Sequence, residues 1–371
     1  MTPANHQRPR ITYLVKAGRR ARLVEPGQGP TEFFYGYQQL LAQGFDASIV
    51  EDSDVGMAPP LPIGARIANK LSPLLGGLPV GMALSLLMTS GYQKLDNADC
   101  IVATTNGMGM ALAVAKALGK VKAPVLLLAM GLLPMRPSRW QISLFGALAR
   151  HIHLACISRS EQAFLQQLFP NQPIHYIPFG VDADFWHPAQ APFDQHDYVL
   201  AIGNDIHRDW TTLVAAWAPD LPLLKIVTSL SVPAVSSNVE VIRGDWRTRL
   251  LDDAEVRRLY QGARFVIIPL RDTIQPAGQS ACLQAMACGR PVILSNVAGL
   301  WDRQLMRDGD NVLLVRPGSV AELTHSARRL ASDRGLRDRV EIGGRRLVED
   351  HCNTNIMANG LARLVQEILR P

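Results

Sequence analysis

The richest chemistry in the chain lies in residues 264–300, RFVIIPLRDTIQPAGQSACLQAMACGRPVILSNVAGL. The apolar run at 265–270 reads as a strand buried on both faces, as a parallel sheet requires. A polar loop at 272–278 ends on Gly278, and a helix is expected from Gln279 to Cys288, closed by Gly289. Another buried strand starts at Pro291. The helix start leaves the N–H groups of Gln279, Ser280 and Ala281 without intrahelical partners. Those groups and the positive end of the helix dipole suit a phosphate. Arg271, just past the first strand, fits as a second phosphate ligand or as solvated loop charge. An ordinary crossover without ligand has the same pattern, so both readings stand on these residues alone.

The first half of the chain offers a second set. Strands are expected at 100–104 and 124–131, with a helix at 107–118 closed by Gly119. Ligands of open α/β sheets lie beyond the carboxyl ends of the strands. Thr104, Thr105 and Asn106, then Met130 and Gly131, are therefore the candidates to line the cleft. Arg136 and Arg139 follow in a Pro-rich loop, as substrate ligands or as solvated charge. His151 and His153 would share one face of a strand, but a metal needs further ligands and nothing nearby supplies them. No metal site is expected.

Two phrases carry a family resemblance. Residues 285–293 read AMACGRPVI after the Gly-containing loop. Residues 174–188 read IHYIPFGVDADFWHP, with Gly180, Val181, Asp182, Phe185 and Pro188 spaced as turn glycine, aspartate, aromatic and proline. In both, the chain resembles nucleotide-sugar glycosyltransferases of the two-domain GT-B fold, family 4 type. The resemblance implies an α/β protein of two doubly wound Rossmann-like domains facing a cleft. An acceptor-binding domain would span 1–188 and a donor-binding domain 197–352, and a final helix at 353–371 would cross back to the first. It also implies that Arg208 binds the donor diphosphate where relatives carry a lysine, with Asn204 in the place of an arginine. Gly244 falls in a loop that meets the nucleotide base. Gln284 stands where relatives place a glutamate on the ribose, so Gln284→Glu should be tolerated. The first glutamate of the usual pair falls at Gln275 or Pro276, and the usual strand-end histidine is missing.

The activity so implied is hexosyl transfer from a nucleotide sugar to a glycan, lipid-linked or small-molecule acceptor, with retention, in cell-surface polysaccharide or glycolipid biosynthesis. Arg208 and Gln279 would serve catalysis by meeting the charge on the leaving diphosphate. The leaving phosphate itself would take the acceptor proton. The nucleotide sugar is a substrate, and no cofactor is expected. Two alternatives keep the fold: a non-catalytic nucleotide-sugar-binding partner subunit, and a sugar-nucleotide epimerase.

The elements that hold these residues must come from 371 residues, a length that suits two domains. Hydrophobic content of 47% with 19% charged residues is that of a globular protein. The net charge of +6 favours anionic partners, namely nucleotide phosphates and an anionic membrane surface. Nucleic acid is not expected, since Lys and Arg are not clustered with aromatics. Five cysteines without a CxxC pair point to a reducing, cytoplasmic compartment, and the first residues show no signal sequence. Residues 30–44 suggest one helix with Phe33, Phe34, Tyr37, Leu40 and Leu41 on its core face. Residues 59–92 are apolar almost all round, yet Pro and Gly interrupt them too often for a spanning helix. They fit a buried helix pair or a segment lying in the inner membrane face.

Overall fold

Short apolar runs form the strands, and each named strand pairs parallel with its neighbours. The computed structural model describes residues 9–23, 28–190, 198–244 and 251–370. The chain divides into two units. The first holds residues 9–23, 34–178 and 357–370, and the second holds residues 28–33 and 179–356. The first unit thus reaches residue 178, and residues 28–33 belong with the second unit.

In the first unit the order is β1 (Arg10–Val15), α1 (Tyr37–Ala42), β2 (Asp46–Glu51), α2 (Ile63–Asn69), α3 (Val80–Met88) and β3 (Cys100–Ala103). There follow α4 (Asn106–Ala117), β4 (Val125–Ala129), α5 (Arg139–Ala149), β5 (His153–Cys156), α6 (Arg159–Leu168) and β6 (Ile174–Tyr176). The sheet order is β2-β1-β3-β4-β5-β6. β3 and β4 are buried along their whole length, which matches their uninterrupted apolar sequence.

The second unit runs β7 (Tyr198–Ile202), α7 (Trp210–Ala216), β8 (Leu223–Thr228), β9 (Val239–Arg243), α8 (Asp253–Gly262), β10 (Ala263–Ile268) and α9 (Gln279–Ala287). It continues with β11 (Val292–Ser295), β12 (Leu313–Val315), α10 (Val320–Ser332) and α11 (Arg334–His351). Its sheet order is β12-β11-β10-β7-β8-β9. The last helix, α12 (Thr354–Ile368), is capped by Asn353, whose Oδ1 accepts from the N–H of Ile356 at 3.0 Å. From residue 357 onward it groups with the first unit, where Asn359 accepts from Gln43 at 2.8 Å.

Two expectations fail locally. Residues 30–44 do not form one helix: residues 32–34 make a 3-10 turn, and Tyr35 and Gly36 take left-handed φ values of 52° and 82°. A side chain at 36 would also lie 2.9 Å from the Ala358 backbone, so only glycine fits there. That break separates Thr31 and Glu32 from the helix and frees them for the second unit. His151 sits in a turn before β5 starts at His153, so the two imidazoles do not alternate on a strand. Residues 59–92 supply both core and surface: Leu78, Ala83 and Leu86 are buried, whereas Ile63, Ile67, Leu71, Leu74 and Met88 are exposed.

Candidate functional site

The topology of the second sheet selects the place. From β7 the chain moves outward through β8 to β9, then returns to lay β10 on the other side of β7. The loops leaving the carboxyl ends of β7 and β10 border this switch point, the place where ligands of open α/β sheets bind in a crevice outside the strand ends. Backbone bonds tie the two loops together: Asp209 N–H donates to Pro269 O at 3.0 Å and Arg271 N–H to His207 O at 2.8 Å. His207 Nε2 lies 3.1 Å from Gln275 Oε1, a further link between them.

Arg208 occupies the centre of this junction and is only 3% exposed. A side chain on Gly203 would overlap its guanidinium, and one on Gly278 would lie 2.9 Å from Nη1. Gly278 is the N-cap of α9 with φ 73°, and an added Cβ would also meet Ile268 at 2.6 Å. Glycine is thus required at 278 by backbone conformation and by space. The Asp205 carboxylate lies 3.1 Å from Arg208 Nε, but the pair is misaligned for a hydrogen bond. Nε and Nη1 are buried and have no hydrogen-bond partner among the described residues. Leaving such donors unmade costs about 1–3 kcal/mol. The outcome is a desolvated guanidinium beside the start of α9, aimed where an anion would satisfy both.

The other expected donor ligands divide by what they already hold. Gln279 is buried as the first residue of α9, with Ser280 and Ala281 half-buried behind it. Arg271 is exposed, and its Nη2 donates to the carbonyls of Ile206 and Arg208 at 3.0 and 3.2 Å. It braces the loop that carries Arg208. Asn204 Oδ1 accepts from Thr228 Oγ1 at 3.0 Å and Ser229 N–H at 2.6 Å, and Nδ2 donates to Gly244 O at 2.9 Å. The Asn204 amide ties the ends of β7, β8 and β9 together, with Gly244 as its acceptor.

Gln284 has a partner that the sequence did not reveal. Its Nε2 donates to Glu32 Oε1 at 2.9 Å, and its Oε1 accepts from the Tyr260 hydroxyl at 3.4 Å. Glu32 is fully buried and also accepts from Trp186 Nε1 at 2.8 Å and from Asp182 N–H at 3.3 Å. Burial pushes the Glu32 carboxyl up to about 7, against the opposing hydrogen bonds from Gln284 and Trp186. Asp182 holds the segment in place, with Oδ2 accepting from both N–H and Oγ1 of Thr31 at 3.1 and 2.7 Å. One signal was visible beforehand: Glu32 is the only charged residue in 30–44.

In the first unit, Asn106 grips the end of β4 by donating to Met130 O at 2.9 Å and accepting from Met130 N–H at 3.1 Å. Thr105 caps α4 by accepting from Met108 N–H at 3.3 Å. Gly131 has φ 71°, and its N–H donates to Glu161 Oε1 at 2.7 Å. The five acceptor-cleft candidates thus gather where β3 and β4 end. Glu161 was missed: it is buried, holds Leu132 N–H as well, and burial raises its carboxyl above the ordinary value. Among the described residues no group of three potential metal ligands occurs.

Residues 196–333 match the family described as Glycosyl transferases group 1. No curated protein sequence matches the chain. Among solved structures, sucrose-phosphate synthase from Thermosynechococcus elongatus is similar with a TM-score of 0.72 and 18% identity, over 97% of this chain and 99% of that one. A glycosyltransferase from Rickettsia africae gives 0.69 and 14%, over 98% and 100% of the two chains. Anabaena HepE in complex with UDP-glucose gives 0.68 and 16%, over 97% and 100%. At these identities the likeness is one of fold, and the two parallel six-stranded sheets are those of GT-B proteins. The resemblance drawn from residues 174–188 and 285–293 is borne out.

Proposed function

We propose that the protein transfers a hexosyl group from a nucleotide sugar, bound at the β7/β10 crevice of the second unit, to an acceptor held by the strand ends of the first. The observation that carries this reading is Arg208, a buried guanidinium whose Nη1 has no partner and which lies beside the start of α9. A donor diphosphate would bring the missing acceptor oxygens. As the bond from the anomeric carbon to the diphosphate breaks, its electron pair passes to the phosphate oxygen. Arg208 and the N–H groups of Gln279, Ser280 and Ala281 meet that charge in a site shielded from water. The acceptor hydroxyl gives its proton to the same phosphate, which lies on the face being vacated, so the anomeric configuration is retained. Gln284 keeps one amide N–H for a ribose hydroxyl.

HepE was solved with UDP and with UDP-glucose, so UDP-sugars are the first donors to try. The test is UDP release from a panel of UDP-sugars with glycan, lipid-linked and small-molecule acceptors, repeated in EDTA. A competing reading, a binder without turnover, is favoured by one contact: Gln275, at one of the two positions for the first glutamate, is tied to His207. UDP binding with no turnover across the panel would establish that reading and overturn transfer.

A further inference from the structure

We propose that α2, the loop after it and the start of α5 form a face that docks on an anionic lipid bilayer. The apolar part of this face comes from three stretches that touch. α2 crosses α3 closely at Ala65 and Asn69, where a side chain on Gly81 would lie 2.7 Å from Ala65 O and 2.6 Å from Asn69 Cβ. That crossing turns Ala65 inward and leaves Ile63 and Ile67, one turn apart, 68% and 61% exposed. Met88, also exposed, packs 3.7 Å from the position of a Gly64 side chain. Leu71 and Leu74 continue the surface along the loop, Leu74 with 77% of its area in water. The loop then rests on α5: Gln141 Nε2 donates to Gly76 O at 3.1 Å, and Trp140, 46% exposed, packs beside Gly76.

Charge selects the occupant. Arg66 on α2 and Lys70 just past its end lie among the exposed aliphatic residues, and Arg136 and Arg139 precede Trp140. All four are exposed, and no ion pair engages them among the described residues. No carboxylate occurs in residues 55–95 or 100–160. An isologous contact between two copies would set these cations against their own equivalents, at a Coulomb cost. A bilayer with anionic headgroups instead accepts the aliphatic side chains, takes the Trp ring at headgroup level and neutralises the cations. No helix among the described residues is long and apolar enough to cross a membrane, so this face lies on the surface. Docking stands without the proposed transfer activity; joined to it, docking points to a lipid-linked acceptor.

The experiment is co-sedimentation of the full chain with vesicles of phosphatidylcholine alone and of phosphatidylcholine mixed with phosphatidylglycerol. Binding is expected to the mixed vesicles only, and to weaken with salt. The double variant Ile63→Asp, Leu74→Asp should lose it, and Arg66→Gln, Lys70→Gln should lose about fivefold per cation removed. Both variants should melt like wild type and bind UDP unchanged, which separates this proposal from the donor site. Wild-type protein that stays in the supernatant would overturn the proposal, as would either variant sedimenting like wild type. Concentration-dependent self-association abolished by the double variant, without vesicle binding, would assign the face to a second copy instead.

Discussion

Nε2 of Gln284 donates to Oε1 of Glu32 across 2.9 Å, although 252 positions separate the two in sequence. The helix α9 carries a neutral amide, and the carboxylate beside it comes from residues 28–33, pinned by Asp182. Both carboxyl oxygens of Glu32 accept hydrogen bonds, yet the group is fully buried and no cation pairs with it among the contacts described. Ionising it therefore opposes the fold.

This sets a pH dependence. Folding raises the Glu32 carboxyl from 4.5 to about 7, with burial as the largest cause. Between those values the folded state holds the proton more firmly than the unfolded chain, so stability falls as pH rises. The contribution is complete below 4.5 and is lost above 7, a loss on the order of 3 kcal/mol for a shift of this size. Glu32→Gln should flatten that slope in urea unfolding measured across the interval. An identical pH profile in both proteins would show that Glu32 does not titrate there.

The same pair corrects an expectation about position 284. With Gln284 read as a free ribose ligand, glutamate looks acceptable there. With Glu32 at 2.9 Å, Gln284→Glu sets two buried carboxyls against each other, and one must hold a proton. The variant should be less stable by roughly 3–5 kcal/mol at pH 8, the scale of an uncompensated buried charge, and should recover in acid. Wild-type melting at pH 8 would mean that the pair is not in contact in solution.

Much of the fold was legible because parallel strands need long apolar runs. Residues 265–270, 124–131 and 291–294 stand out for that reason, and Gly278 and Gly289 mark the ends of α9. The start of α9 was legible because a glycine loop before a helix has a local signature, whereas Arg208 was named from the family resemblance; the structure brings the two side by side. What sequence could not supply was non-local. Nothing near Gln284 signals Glu32, and nothing near Asn204 shows that its amide is spent on Thr228, Ser229 and Gly244. The helix expected at 30–44 failed because apolar spacing there was real, but Tyr35 and Gly36 turn the chain before the helix can start.

Asp182 offers a test of how residues 28–33 are held. Its Oδ1 accepts from the N–H groups of Asp184 and Phe185, at 3.2 and 3.1 Å, while Oδ2 serves Thr31. Asp182→Ala strips all four bonds in a buried place and should cost roughly 3 kcal/mol or more, whereas Thr31→Val removes one hydroxyl and should cost about 1 kcal/mol. In a double-mutant cycle the two losses should not add, because Thr31→Val removes a bond that Asp182→Ala has already broken. Full additivity in chemical denaturation would place Thr31 elsewhere.

Arg208 carries the strongest claim about function. Its Nη1 has no partner among the described residues, and Nε faces Asp205 without a hydrogen bond. Methionine approximates the length of the side chain and removes every donor. If the guanidinium serves only the fold, Arg208→Met loses the Asp205 pair and opens a cavity, and the melting temperature falls. If it waits for a diphosphate, the free protein sheds two unsatisfied buried donors and melts close to wild type. Binding then bears the loss: UDP affinity should drop by about 1.5–3 kcal/mol, the worth of a hydrogen bond to a charged group. Arg208→Lys should restore part of that affinity, since a lysine supplies the charge without the planar fork. Calorimetric titration with UDP on the three proteins, paired with their melting curves, decides the matter. Equal UDP affinity in wild type and Arg208→Met would remove Arg208 from the donor site and, with it, the observation on which the proposed transfer rests.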